Sequence, residues 1–321
     1  MQVCAITRRE WLAALGALSL GLNRPLRAAA ADGAAIDLMP NFWHTYDAGR
    51  ALQMPERAEG LRREFFEPHA DTYRQAGSKL PDDAAIGRWL ASFDGIAPSV
   101  RDMHHRFAHE LARHSAAFRI ALPDFDPQRS PIYLLPSMDR FDAHLEPHAN
   151  GLPLFFAPDG IVRYHGAGAD LSVLFTHEIF HCYQGQMNPG MTQDTRAPVY
   201  VNLWVEGGAT YASERLNPQA SLHHVLLDDD VLLREGPGTA TRVAKALLDR
   251  IDATDDATLN SFFSMGWRGP WPARAGYYVG LLVARDWART MDLQALAAMP
   301  RERVREQSIA ALQRIALGRA P

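Results

Sequence analysis

Apolar residues recur at helical spacing along most of the chain. Between residues 46 and 77 they fall three or four positions apart, although Pro55 and Pro68 interrupt the pattern because proline does not continue a helix. The same spacing returns after residue 170 and continues almost to the C-terminus. It predicts helices over residues 46–77, 82–93, 98–121, 170–186, 198–216, 239–252, 274–290 and 306–317.

The stretch between these two helical parts has a different pattern. Residues 131–135 form a short apolar run bounded by prolines, which is typical of a strand. Residues 152–156 and 161–164 are two further runs on either side of Asp159 and Gly160, and the Asp-Gly dipeptide favours a tight hairpin turn. The chain is therefore predicted to be α+β and mostly helical, with a small antiparallel sheet preceding the later helices.

The N-terminus has the layout of an export signal. Arg8 and Arg9 precede the apolar run WLAALGALSLGL, which is too short to span a bilayer, and small residues follow at 28–31. The arginine pair resembles a twin-arginine signal, and a general secretory signal is the alternative. We therefore expect residues 1–31 to be removed and the mature protein to be periplasmic or secreted, with no stable membrane anchor.

The remaining sequence divides where the pattern changes, near residue 125. This change predicts an N-terminal helical region over residues 32–125 and a second region over residues 126–321, which contains the residues with candidate chemistry. No flexible linker separates the two regions, so one continuous body is the alternative.

Charge and cysteine content narrow the possible partners. The chain has 33 Lys and Arg against 37 Asp and Glu, a formal charge of −4, and no basic block, which argues against a nucleic-acid partner. Of the two cysteines, Cys4 lies in the predicted signal and Cys182 is left alone in the mature chain. No intramolecular disulfide is therefore expected, and Cys182 is expected to be a small buried apolar residue.

The segment FTHEIFHCYQG contains the strongest candidate chemistry. His177 and His181 are four residues apart, so on a helix they project from one face and can share one small cation. Glu178 lies roughly 100° further around the axis, where it can take a proton from water beside the metal without binding the metal itself. Because the neighbouring residues are apolar, histidines buried there would be costly unless they were paired or bound to a metal.

A catalytic zinc site usually has three protein ligands, so a third is needed. Glu206 is the only acidic residue in the apolar stretch of the next predicted helix and is the favoured candidate. Asp194, in a polar loop, and His223 and His224, in a separate short segment, are the alternatives. A third histidine six residues after His181 is excluded, because that position is a methionine.

The order HEIFH, then WVEGGATYAS, then GYYVG resembles the gluzincin clan of zinc peptidases, and most of all the poorly characterised bacterial families of predicted zinc-dependent proteases. The resemblance covers roughly residues 131–290. It implies a gluzincin catalytic core in which three side chains bind Zn²⁺, namely His177, His181 and Glu206.

The same resemblance implies roles for other residues. Glu178 would be the general base, and a tyrosine of the later helix, Tyr277 in preference to Tyr278, would donate a hydrogen bond to the developing oxyanion. Arg274 could orient a substrate carboxylate, although a surface arginine is the favoured interpretation. Many gluzincins have an aspartate four residues after the ligand glutamate that orients a ligand histidine, whereas this chain has Thr210 there.

These residues predict a zinc-dependent metallohydrolase that acts on a peptide or protein substrate. The edge strand of the predicted hairpin over residues 152–164 is expected to pair with an extended substrate. Two alternatives are a zinc-stabilised binding or scaffold protein without turnover, and a zinc hydrolase of non-peptide amides or esters.

Overall fold

A computed structural model describes residues 35–146 and 152–319. The predicted export signal, residues 1–31, lies outside the described residues. The structure is 65% helical, and its described residues form one small four-stranded sheet, which agrees with the predicted α+β class. In the described part of the chain, no helix is both long enough and apolar enough to cross a membrane.

The described residues form two compact units, and neither is a continuous stretch of sequence. The sheet unit contains residues 35–113, 127–146 and 152–169, and the helical unit contains residues 114–126 and 170–319. The division of the sequence between residues 125 and 126 stays a prediction.

The elements before residue 170 are mostly short helices around the sheet. In chain order they are β1 Ile36–Asp37, α1 Met39–Gly49, α2 Met54–Leu61 with a π-helical turn Arg62–Phe66, α3 Ala70–Gln75, α4 Asp83–Phe93, α5 Ala97–Ala121, a 3-10 turn Pro127–Arg129, β2 Ile132–Leu134, β3 Ala143–Leu145, β4 Leu154–Phe156 and α6 Pro158–His165.

The elements after residue 170 are all helical. They are α7 Leu171–Met187, α8 Pro189–Thr192, α9 Val199–Leu216, α10 Leu222–Val225, α11 Asp230–Asp249, α12 Asp256–Phe263, α13 Ala275–Trp287, α14 Leu293–Ala297 and α15 Arg301–Ala316. Helix α11 begins before the predicted residue 239, although Pro237 lies inside it, and α12 was not predicted.

The sheet is mixed and not antiparallel, so that part of the prediction was wrong. Its strand order is β1-β2-β4-β3; β1, β2 and β4 are parallel, and only β3 is antiparallel to its neighbour. Strand β4 lies between β2 and β3 and is paired along both sides, so it offers no free edge to an extended substrate.

The predicted hairpin around Asp159 and Gly160 was also wrong, because helix α6 begins at Pro158. The Asp159 carboxylate is buried and accepts the backbone N–H groups of Ser137 and Asp139, at 2.9 and 3.0 Å. A Cβ on Gly160 would lie 1.8 Å from the carbonyl oxygen of Phe141. The aspartate and the glycine at these positions therefore allow close contact between α6 and the segment of residues 137–141, which is distant in the sequence.

Backbone contact between glycines brings α9 and α13 together in the helical unit. A Cβ on Gly207 would lie 2.5 Å from the carbonyl oxygen of Gly280, and a Cβ on Gly280 would lie 2.8 Å from Cα of Gly207. Such an approach is open only to residues without a side chain. The apolar core continues on both sides of this crossing, where Trp204 is buried and donates its indole N–H to the carbonyl of Leu296 at 2.8 Å.

Candidate metal centre

Two adjacent helices bring the predicted ligands together. Nε2 of His177 and Nε2 of His181, both on α7, each lie 3.5 Å from the same atom, Oε2 of Glu206 on α9. The possible ligand atoms of His177, Glu178 and His181 all lie within 4.8 Å of one another, so this group could hold a metal ion.

Local helix geometry aligns the two imidazoles. Helix α7 begins after Asp170, whose carboxylate accepts the N–H of Ser172 and caps the first turn. One turn separates His177 from His181, and their ring centroids are 4.7 Å apart with the planes at 89°. The edge-to-face arrangement turns both Nε2 atoms toward Glu206.

The separation of these atoms fits a shared metal better than direct hydrogen bonds. A charge-assisted N–H···O bond is usually about 2.7–2.9 Å long, whereas two ligand atoms about 2.1 Å from one tetrahedral ion lie roughly 3.4 Å apart. The observed distances to Glu206 are 3.5 Å, and its Oε2 atom is buried with no hydrogen-bond partner among the described residues. A buried, unsatisfied carboxylate oxygen facing two imidazoles is a chemically reasonable metal ligand.

Burial and charge prepare the ligands for a cation. Burial lowers the pKa of His177 to about 4, so its imidazole is neutral near pH 7 and can offer a lone pair. Burial alone would raise the pKa of Glu206, but the neighbouring His181 and His177 outweigh it and hold the pKa well below its ordinary value. The site therefore contains a carboxylate and at least one neutral imidazole.

The two histidines differ at their other ring nitrogen. Nδ1 of His181 lies 3.2 Å from Oε1 of Gln184, which is fully buried on the same helix. Nδ1 of His177 is buried and has no hydrogen-bond partner among the described residues. Thr210 is not the partner of either Nδ1 atom, and its hydroxyl donates to the carbonyl of Glu206 in its own helix at 2.7 Å.

Sequence reasoning missed Gln184 as a site residue. The available signal was an uncharged polar side chain in an otherwise apolar helix, three residues after His181 and therefore on nearly the same face.

The two candidate tyrosines of α13 have different surroundings. The ring of Tyr277 stacks on His177, with centroids 6.0 Å apart and planes at 8°. Burial raises the pKa of Tyr277 well above its ordinary value, and the negative charge of Glu206 adds to the effect. Tyr278 instead packs on α11, where a Cβ on Gly236 would come 2.9 Å from its ring. The structure thus places Tyr277, and not Tyr278, beside the ligands.

Arg274 is buried, so its interpretation as a surface arginine was wrong. Only 7% of the residue is exposed, and its guanidinium donates to the Asp229 carboxylate and the Leu226 carbonyl, both at 3.1 Å. It also lies over the Tyr277 ring, 5.3 Å from the centroid. Arg274 is therefore held by the fold beside Tyr277 and is already paired with an acidic residue.

The alternative third ligands are held by other contacts. Asp194 forms an ion pair with Arg301 at 2.6 Å. His223 and His224 form a second group with Asp228 that could hold a metal, but Nδ1 of His224 is 2.7 Å from Oδ1 of Asp228. That distance is typical of a direct hydrogen bond, whereas Nδ1 of His223 lies 3.5 Å from the same oxygen. One imidazole of this group is therefore already bonded to the carboxylate, unlike the two imidazoles that face Glu206.

Comparison with known proteins adds no relative. The chain matches no protein-family model, no curated protein and no solved structure. The fold and the site define a mostly helical α+β protein with a His-Glu-x-x-His cluster that can hold a metal ion. Membership of the gluzincin class stays a prediction.

Proposed function

We propose that the protein is an exported zinc-dependent hydrolase, of the gluzincin type, that cleaves peptide bonds. The observation that carries the proposal is the position of the buried Oε2 atom of Glu206, which lies 3.5 Å from Nε2 of both His177 and His181. Two imidazoles and one carboxylate are a ligand set used by catalytic zinc, and they leave a fourth position for water.

These three side chains would hold the ion. Zn²⁺ bound there would supply Lewis acidity, which polarises a carbonyl and makes water easier to deprotonate. The side chains of His177, His181 and Glu206 are only 2%, 12% and 13% exposed, so electrostatic interactions among them are stronger than in bulk water.

Glu178 is the proposed proton carrier. It follows His177 directly on α7, and its carboxylate lies within the same 4.8 Å group as the two imidazoles. A carboxylate at this position can take a proton from the attacking water and pass it to the leaving amine. A purely structural site has no need of such a residue, which favours turnover over a scaffold role.

Tyr277 is the proposed hydrogen-bond donor to the oxyanion. A phenol is protonated near neutral pH, and burial raises the pKa of Tyr277 further, so the side chain carries an O–H donor. Stacking on His177 and contact with the guanidinium of Arg274 hold the ring in place. A donor that is already oriented costs little reorganisation when negative charge develops.

Metal analysis combined with a broad peptide-library assay tests this function. We expect about one zinc per chain, cleavage of at least a subset of peptides, and loss of both in His177→Ala. A protein that binds one zinc but cleaves no peptide would favour a scaffold or a non-peptide amide or ester substrate. A protein that binds no zinc would contradict the proposal.

Export can be tested separately. We expect residues 1–31 to carry a reporter out of the cytoplasm and to be absent from the exported protein. N-terminal sequencing that found the first residues intact on the exported protein would contradict this part of the proposal.

A further inference from the structure

Gln184 connects the two helices that supply the ligands. It is fully buried on α7, and its side-chain amide reaches two groups at once. Oε1 lies 3.2 Å from Nδ1 of His181, and Nε2 donates to the backbone carbonyl of Trp204 on α9 at 3.0 Å. Trp204 is two residues before Glu206, so one side chain joins the histidine ligand to the segment that carries the carboxylate ligand.

The chemistry of these partners fixes the direction of both hydrogen bonds. A backbone carbonyl can only accept, so the amide nitrogen of Gln184 must face Trp204. The amide oxygen must then face His181, and because that oxygen can only accept, Nδ1 of His181 must carry the proton. In a neutral imidazole this leaves the lone pair on Nε2, the atom that faces Glu206 at 3.5 Å.

We propose that Gln184 is a positioning residue that holds His181 in its Nδ1-protonated tautomer and directs Nε2 toward the metal position. The inference rests on the proposed metal site. An uncharged amide performs this task without adding a third negative charge to a cluster that already contains Glu178 and Glu206. Gln184, and not Thr210, is therefore the residue that Nδ1 of His181 faces.

Gly208 makes room for this contact. A Cβ at Gly208 would lie 2.8 Å from Nε2 of Gln184 and 3.4 Å from the ring of Phe180. The two adjacent glycines of the WVEGG segment therefore have different structural roles. Gly207 allows α13 to approach α9, and Gly208 allows the Gln184 amide to reach the carbonyl of Trp204.

Gln186 offers a matched control on the same helix. Its amide also makes two hydrogen bonds, accepting the N–H of Asp126 at 2.9 Å and donating to the Asp126 carbonyl at 2.7 Å. Gln186→Met therefore removes a comparable pair of amide hydrogen bonds from α7, made to Asp126 and not to a histidine of the proposed site. Methionine has nearly the same length and volume as glutamine, which limits the effect on packing.

The test uses the metal-free protein first. Nitrogen NMR on protein labelled at the histidine rings reports which ring nitrogen of His181 carries the proton. We expect the Nδ1-protonated form in the wild type, and a mixture or the other tautomer in Gln184→Met. A wild-type His181 protonated at Nε2 would overturn the inference, and that measurement needs no variant to fold.

Zinc affinity, measured by competition with a chromophoric chelator, is the second readout. Loss of an orienting partner typically weakens metal binding by about 10- to 100-fold, and we expect this range for Gln184→Met. Gln186→Met should stay within about threefold of the wild type. Wild-type affinity in a folded Gln184→Met variant would overturn the inference, whereas a wild type that bound no zinc would instead contradict the proposed function.

Discussion

Gly207 and Gly280 meet backbone to backbone, and this contact sets the distance between the glutamate ligand and the candidate oxyanion donor. A Cβ on Gly207 would lie 2.5 Å from the carbonyl oxygen of Gly280, and a Cβ on Gly280 would lie 2.8 Å from Cα of Gly207. Glu206 immediately precedes Gly207, and Tyr277 lies one turn before Gly280. The spacing of the two functional side chains is therefore fixed by two residues that have no chemistry of their own.

Alanine at Gly207 should separate α9 from α13. Overpacking of this kind typically costs about 1–3 kcal/mol, so we expect a lower free energy of unfolding and weaker zinc binding. Gly238 on α11 is the control, because nothing lies within 4 Å of a Cβ there. Gly238→Ala should be neutral or stabilising by up to about 1 kcal/mol, since alanine favours the helix. Chemical denaturation measures the free energy of unfolding of both variants. Equal effects of the two substitutions on this free energy would contradict the role of the glycine crossing.

Removal of the carboxylate of Glu206 should abolish tight zinc binding. Glu206→Gln keeps the size of the side chain but removes the charge that faces both imidazoles, and we expect affinity to fall by about 100-fold or more. Glu214, later on α9, pairs with Arg285, and Glu214→Gln should leave zinc binding unchanged. Chelator competition on the two variants decides the matter. Undiminished affinity in Glu206→Gln would mean that another residue is the third ligand.

Replacement of the two adjacent tyrosines should have opposite outcomes. Tyr277→Phe removes the proposed donor and should lower kcat by about 100-fold with little change in zinc content. Tyr278→Phe alters a side chain that packs on Gly236 and should leave kcat within about threefold of the wild type. Steady-state kinetics on a cleaved peptide provides the comparison. A large loss of kcat in Tyr278→Phe alone would show that the wrong tyrosine has been assigned.

The stability of the sheet unit should depend on pH through Asp159. Burial raises the pKa of this carboxyl from 3.8 to about 6, even though it accepts the N–H groups of Ser137 and Asp139. Folding therefore favours the protonated form. The resulting stabilisation is fully present below pH 3.8 and is lost as the pH rises through about 6.

The shift corresponds to about 3 kcal/mol, at 1.36 kcal/mol for each pKa unit. We expect the difference in unfolding free energy between the wild type and Asp159→Asn to change by about this amount from pH 3.5 to pH 7, in favour of the variant at the higher pH. Asp71, a highly exposed carboxylate, is the control, and Asp71→Asn should keep the wild-type pH profile. A constant difference between wild type and Asp159→Asn across this window would contradict the prediction.

Local spacing made the two candidate histidine ligands predictable, because the periodicity of one helix aligns His177 with His181. Glu206 was predictable for a different reason, since a lone acidic residue in an apolar stretch needs a partner. The structure brings all three together. Their assignment to zinc chemistry stays a prediction, and Gln184 was overlooked because its partners lie on two different helices.

The predictions that were wrong missed contacts between residues distant in the sequence. Asp159 and Gly160 are residue types that favour a hairpin turn. In the structure, however, the Asp159 carboxylate accepts the N–H of Ser137, and Gly160 leaves room for the carbonyl of Phe141. Arginine is usually found at the surface, yet Arg274 is buried and pairs with Asp229. None of these partners could be identified from the local pattern, because tertiary contacts override local preference.

The most direct test of the central claim is the activity of Glu178→Gln measured together with its zinc content. Glutamine keeps the shape of the side chain and leaves His177, His181 and Glu206 in place, so we expect about one zinc per chain. Because glutamine cannot take the proton, kcat should fall by about 100- to 10,000-fold. A variant that binds zinc normally and still cleaves peptides at the wild-type rate would contradict the proposed mechanism.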